Sequence, residues 1–242
     1  MSGDTKSKKA NCREDLRRRI LIQELEPGCH LDETVIAETY GISRPPLREI
    51  LRQLEGEGYV VLHEHRGAQV APMTHKTLRD FFVAAPMLYA AVTRLAAENA
   101  TPGQIQQLKD TQLLFRVAIR DGDTARRALM NQRFHAIIGE MSDNEYLTPS
   151  LRRLLIDHTR IGMTFYNPRN QGLADQRAIA ADQHDQFIAL IEAGDADAAA
   201  DLAIAHWELS RAEIERFVTP DGVQAQLGRA PGTAVSGERE IS

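Results

Sequence analysis

Over residues 13–25 the apolar positions Leu16, Ile20, Leu21 and Leu25 recur at helical spacing, and Pro27-Gly28 ends the run, which predicts a first helix. Asp32 is placed to cap a short second helix with Val35, Ile36 and Tyr40 as its apolar positions, and Gly41 follows where a left-handed turn is wanted. Ser43 is a good cap for a third helix running to about Gly58, with Pro45 and Pro46 in the first turn, where their missing N–H groups cost little. On this helix Leu47, Ile50, Leu51 and Leu54 form one stripe, and Arg44, Arg48 and Arg52 repeat every four residues along another. Residues 59–62 are a β-rich run, 63–67 carry a turn and 68–71 return as a second strand, so a two-stranded wing is predicted.

Beyond Pro72 the period becomes helical. From about residue 75 to 218 the pattern breaks only at Thr101-Pro102, Gly122, Asp143-Asn144, residues 167–172 and Gly194, which gives about six helices. Pro86 falls inside the first of these, so that helix is either kinked or divided. The last stretch, 219–242, is rich in Gly, Ala and Pro and has no aromatic residue, and is expected to be disordered. The fold class is therefore mainly α, an N-terminal winged helix-turn-helix followed by an all-α helical bundle. The expected boundaries are a flexible 1–12, a winged helix over 13–74, a helical domain over 75–218 and the tail over 219–242.

Composition changes this picture little. A chain of 242 residues with 43% hydrophobic residues can build two cores. No run approaches the roughly 18 consecutive apolar residues of a membrane span, and the first residues lack the apolar core of a signal peptide. Cys12 and Cys29 are too few and wrongly spaced for a disulfide scaffold or a cysteine zinc site. The expectation is a cytoplasmic protein with reduced thiols and no membrane partner. The net charge of -5, and eleven Lys plus Arg against twelve Asp plus Glu over residues 1–75, lend nothing to nucleic-acid binding, so that reading must rest on local placement.

Local placement does point there. Three short helices and a hairpin within about sixty residues is the layout of a winged helix-turn-helix, whose recognition helix enters the major groove by its N-terminal residues. Ser43, Arg44, Pro45, Pro46 and Arg48 lie at that end, with Arg52 further along the same basic stripe. Arg can bind guanine bidentately or grip phosphate, and Ser43 with the helix N-terminus suits phosphate. Three arginines in isolation fit a solvated charged face better, and it is the surrounding layout that reverses this. The segment LEPGCHLDETVIAETYGISRPPLREILRQLEGEGYVVLHEHRGAQVAP resembles the winged helix of GntR-type regulators, above all in GISRPPLRE, LRQLEGEGYV and RGAQV. The resemblance implies that Ser43, Arg44, Pro45, Pro46, Arg48 and Gly67 touch double-stranded DNA. Some members place an arginine early in the second helix, where this chain has Thr34.

Asn131 and His135, four residues apart, share one helix face, and His184 and His206 fall on two later helices. Taken singly, each histidine is more often a hydrogen-bonded core or surface residue than a ligand, and spacing alone favours that reading; converging from different helices they would make a divalent-metal set. The segments NQRFHAIIGEMSDNEYL, DQHDQFIALIEAGDADAA and AHWEL resemble the FCD effector domain of the FadR-like branch of GntR regulators. In that branch an Asp or Asn, a His four residues later and two further His bind metal, which implies Asn131, His135, His184 and His206 here. Zinc is the first expectation, with nickel or manganese as alternatives, and the neutral Asn131 oxygen implies weaker binding than an aspartate.

Members often carry an Arg and an acidic residue on the first helix of this domain, where Ala85 and Tyr89 stand here. Arg160 and Tyr166 are candidates to hold a small carboxylate effector, against a reading as surface Arg and packed Tyr. The expected protein is thus a homodimeric, ligand-responsive repressor on a palindromic operator. The alternatives are a metal-dependent hydrolase using the three histidines, for which the sequence assigns no general base although Glu140 and Asp185 lie nearby along the chain, and a ligand-binding protein that has lost DNA binding.

Overall fold

The computed structural model describes residues 2–64, 66–165 and 173–218. The chain begins with α1 (Ser2–Leu21), then β1 (His30–Leu31), α2 (Glu33–Tyr40), α3 (Arg44–Glu57), β2 (Val60–His63) and β3 (Gly67–Val70). Six helices follow: α4 (His75–Asn99), α5 (Pro102–Arg120), α6 (Thr124–Met141), α7 (Leu147–Phe165), α8 (Leu173–Ala193) and α9 (Ala196–Val218).

Helix α1 starts at Ser2, not at Arg13, so the predicted flexible segment is helical from that residue on. Its sequence there has little apolar period, and tertiary contacts carry it instead: Cys12 is fully buried, and Lys9 and Arg13 reach Glu49 at 2.9 Å and Gln53 at 3.3 Å on α3. The helix also stops before Leu25, because Gln23 turns into the left-handed region (φ 59°), a sparsely populated conformation for a non-glycine residue. Its side-chain amide donates to the Arg160 carbonyl at 2.6 Å.

The remaining N-terminal elements form where expected. Asp32 accepts from the Thr34 and Val35 amides and caps α2, while α3 carries its prolines in the first turn. Leu16, Leu47, Leu51 and Leu54 are fully or almost fully buried together. The sheet has three strands rather than two, in the order β1-β3-β2, all antiparallel. The extra strand is only two residues long, too short for alternation to register. Gly58 ends α3 at φ 92°, and a Cβ there would run into the Arg153 side chain of α7.

In the helical half, Pro86 lies inside a continuous α4, which it neither divides nor ends. This helix buries Phe81, Ala85, Tyr89 and Val92 against the bundle, with Trp207 of α9 in edge contact with Phe81 at 5.2 Å. By length and composition alone α4 is apolar enough to cross a membrane; about two-fifths of its most apolar stretch is buried in the bundle. The two halves are joined by more than the chain. Ile156 of α7 belongs to the N-terminal core, Leu155 and Ile161 of the same helix belong to the bundle core, and α7 is shared between them. The predicted tail 219–242 lies outside the described residues.

Candidate nucleic-acid interface and metal centre

Helix α3 presents Ser43, Arg44 and Pro45 exposed and Pro46 half-exposed at its N-terminus, with Arg48 and Arg52 on the same outer face. The Ser43 hydroxyl makes no capping bond, which leaves it for an external acceptor. Arg48 and Arg52 line one groove with Leu62 and His63 of the hairpin and Gly67 at its tip, so helix and wing open on a common concavity. Two features were hidden from the sequence. Thr34, standing where relatives of the resembled family place an arginine, accepts from Arg44 Nη2 at 3.2 Å, and Glu33 pairs with Arg48 Nε at 3.4 Å. Residues of α2 therefore orient the guanidinium groups of α3; exposed pairs of this kind contribute little stability.

Within the bundle, His135 on α6, His184 on α8 and His206 on α9 are buried, and one ring nitrogen of each lies within 4.8 Å of those of the others. The surrounding bonds fix how the rings face. Gln112 donates its amide N–H to the Ala181 carbonyl at 2.7 Å and to Asp185 Oδ1 at 2.9 Å, which turns its oxygen toward His184 Nδ1 at 3.0 Å. His184 Nδ1 must then be the donor, and its Nε2 carries the lone pair. His206 Nδ1 meets Gln183 Oε1 at 2.7 Å in the same sense. His184 also stacks on Phe134 at 3.9 Å, which holds its plane.

Nε2 of His135 and Nε2 of His184 are buried without a hydrogen-bond partner. Buried polar atoms of this kind are nearly always satisfied, and a cation between these nitrogens would satisfy both. Burial, reinforced by the neighbouring imidazoles, pushes His135 and His184 well below the usual histidine range, and His206 goes down to about 3. Neutral imidazoles with inward lone pairs are the form that binds a divalent cation. The donor set fits a metal.

Asn131 lies with His206, His158 and Thr159 on the wall of a cavity of about 80 Å³, several times the roughly 10–15 Å³ one water needs by that measure. Arg127 and Arg177 line it too, neither of them foreseen from sequence. Arg160 is placed elsewhere: fully buried, it donates to Asp157 Oδ1 at 3.3 Å and to the carbonyl of Ala71, at the seam with the N-terminal half. Expected as an effector ligand, it is thus not among the residues lining this cavity. Tyr166 lies outside the described residues. The two carboxylates considered as hydrolytic bases are engaged with arginines: Glu140 accepts from Arg133 at 2.9 Å, and Asp185 pairs with Arg116.

Comparison with known proteins agrees with this division. Residues 8–70 match the model described as bacterial regulatory proteins, gntR family, and residues 80–209 match the FCD domain. A relative from Escherichia coli (strain K12), named for regulation of the L-lactate dehydrogenase operon, is 30% identical, with 93% of each chain covered. The uncharacterized HTH-type transcriptional regulator YdhC of Bacillus subtilis (strain 168) is 26% identical over 60% of this chain and 66% of its own length. Among solved structures, E. coli McbR/YncC is similar in fold, with a TM-score of 0.74 at 20% identity, covering 88% of this chain and 99% of that one.

Proposed function

This chain belongs to the GntR family of bacterial transcriptional regulators, in the FadR-like branch that carries an FCD domain, and from that premise we propose that a small carboxylate, bound beside a divalent metal, sets its grip on DNA. The matched domains and relatives are regulators and not enzymes, so the hydrolase reading falls away.

In this reading Ser43, Arg44, Pro45, Pro46, Arg48, Arg52 and Gly67 form the DNA contact, the arginines reading base edges or phosphates and Ser43 adding a phosphate contact. Asn131, His135, His184 and His206 hold the metal, zinc before nickel or manganese, which when bound supplies a Lewis-acidic anchor for a carboxylate oxygen. Arg127 and Arg177 make the cavity wall cationic. The protein acts in the cytoplasm as a homodimer, repressing from a palindromic operator. An exposed apolar stripe on α4, including Val83 at 64% and Met87 at 65% exposure, supports pairing of two helical domains.

The observation that carries the regulatory part is the position of α7. His158, Thr159 and Gly162 face the cavity, while Ile156 and Arg160 on the same helix pack into and bond to the winged-helix half. A ligand that binds better to one setting of α7 shifts the setting of the recognition helices, with coupling of about 1–3 kcal/mol. Fluorescence anisotropy on duplexes from the protein's own upstream region tests this. Specific binding that a carboxylate changes severalfold, and that Arg44→Ala with Arg48→Ala abolishes, supports the proposal; binding indifferent to both changes refutes it.

A further inference from the structure

A fourth histidine stands at this site with the opposite polarity. His158 of α7 lines the cavity with Asn131 and His206, and its ring lies 5.8 Å from that of His135. It is not one of the three imidazoles whose ring nitrogens converge. Its Nδ1 forms a short hydrogen bond with the hydroxyl of Tyr89, a buried residue of α4.

The direction of that bond follows from accounting for one proton. A phenol keeps its hydrogen at neutral pH, and His158 Nδ1 is the Tyr89 hydroxyl's partner among the described residues. A buried hydroxyl whose hydrogen met no acceptor would cost its desolvation, so the phenol donates and Nδ1 accepts. An Nδ1 that accepts the phenol hydrogen carries none of its own, so the ring carries its hydrogen on Nε2. His184 and His206 are the reverse: their Nδ1 atoms donate to glutamine oxygens and their Nε2 atoms keep lone pairs. The site thus has lone pairs suited to a cation and, on the cavity wall, an N–H suited to an oxygen.

We propose that His158, fixed as an Nε2–H donor by Tyr89, is an effector-contacting residue that selects carboxylates bearing a second oxygen, hydroxyl or carboxylate, over their plain alkyl analogues. The inference rests on the reading of the cavity as a carboxylate site. Tyr89 is a positioning residue here, holding His158 from α4.

The test is calorimetric titration of the full-length, cobalt-loaded protein with L-lactate and malate against propionate and butyrate. The wild type should bind the oxygen-bearing ligands about tenfold more tightly, the worth of one hydrogen bond to a charged or polar ligand group. His158→Phe should remove that preference while leaving the cobalt d–d spectrum and cobalt affinity unchanged, effects a merely structural residue would not separate. His158→Gln, which can still present an N–H, should restore part of it, and Tyr89→Phe should reduce it severalfold. If His158→Phe does not fold, the Gln and Tyr89 variants decide alone. An unchanged lactate-to-propionate ratio in the variants overturns the role of His158 while leaving the carboxylate site standing. Failure of every carboxylate to bind the wild type, with DNA binding intact, overturns the carboxylate reading itself.

Discussion

Replacing Arg160 with methionine separates two roles for a fully buried arginine, clamp between domains or effector ligand. Its guanidinium donates to Asp157 and to the Ala71 carbonyl, and its own carbonyl accepts from Gln23, so removal strips Ala71 O of its side-chain donor and Asp157 of one of two arginines. Asp157 keeps Arg153 at 2.8 Å, which softens the loss. A lost charged hydrogen bond is worth about 1.5–3 kcal/mol and breaking a buried pair about 3–5, so with Arg153 retained the cost should be about 2–4 kcal/mol. That cost falls on the contact between the halves. The chain's single tryptophan, Trp207, sits in the helical core, whereas far-UV circular dichroism reports both halves. In urea the wild-type fluorescence and dichroism transitions should coincide; in Arg160→Met the dichroism transition should begin earlier, by about 1 M or more. Carboxylate affinity of the helical domain should survive while its effect on DNA binding shrinks. An unchanged, coincident pair of transitions together with lost carboxylate binding would refute the clamp and restore Arg160 as an effector ligand.

Gly58→Ala should cost about 2 kcal/mol or more, since it strains a φ of 92° and displaces Arg153, whereas Gly56→Ala in the open on α3 should stabilise by about 0.5–1 kcal/mol; paired thermal melts compare them. Metal-free protein should lose stability as pH falls from about 6.5 toward 4, because burial holds His158 and His206 at about 4 and about 3, so the unfolded chain takes up protons first. Each such histidine adds a slope of about 1.4 kcal/mol per pH unit, and a urea midpoint flat over that window would contradict it. Burial pushes the Cys12 thiol up to about 11, so iodoacetamide at pH 8 should leave it unmodified in the native protein and label it in urea.

Local chemistry explains how much of this was legible in the sequence. The helix stops at Gly41, Gly58, Gly122 and Gly194 all fall at positive φ, which glycine tolerates, so punctuation and fold agree. The three histidines came together because their helices are long and regular. Of the two outcomes left open at Pro86, kinked or divided, the continuous α4 removes the second, because packing can hold a long helix across a proline. The start of α1 was not legible because the sequence there is polar, and Lys9 and Arg13 find their partners on α3, forty residues away in sequence. The burial of Arg160 could not be read from the sequence, because helical period does not say which side of α7 faces the other half; only the acceptors Asp157 and Ala71 reveal it. His158 went unnoticed for the same reason, its partner Tyr89 lying 69 positions away.

The most direct test of the account is elemental analysis of the purified protein combined with an anisotropy titration against its upstream DNA, with and without chelator, at two salt concentrations. The account predicts about one divalent metal per chain, specific binding that weakens as salt rises, and an altered response to carboxylate once the metal is removed. Protein that carries no metal and takes none up, or that binds no duplex at either salt concentration, would contradict it.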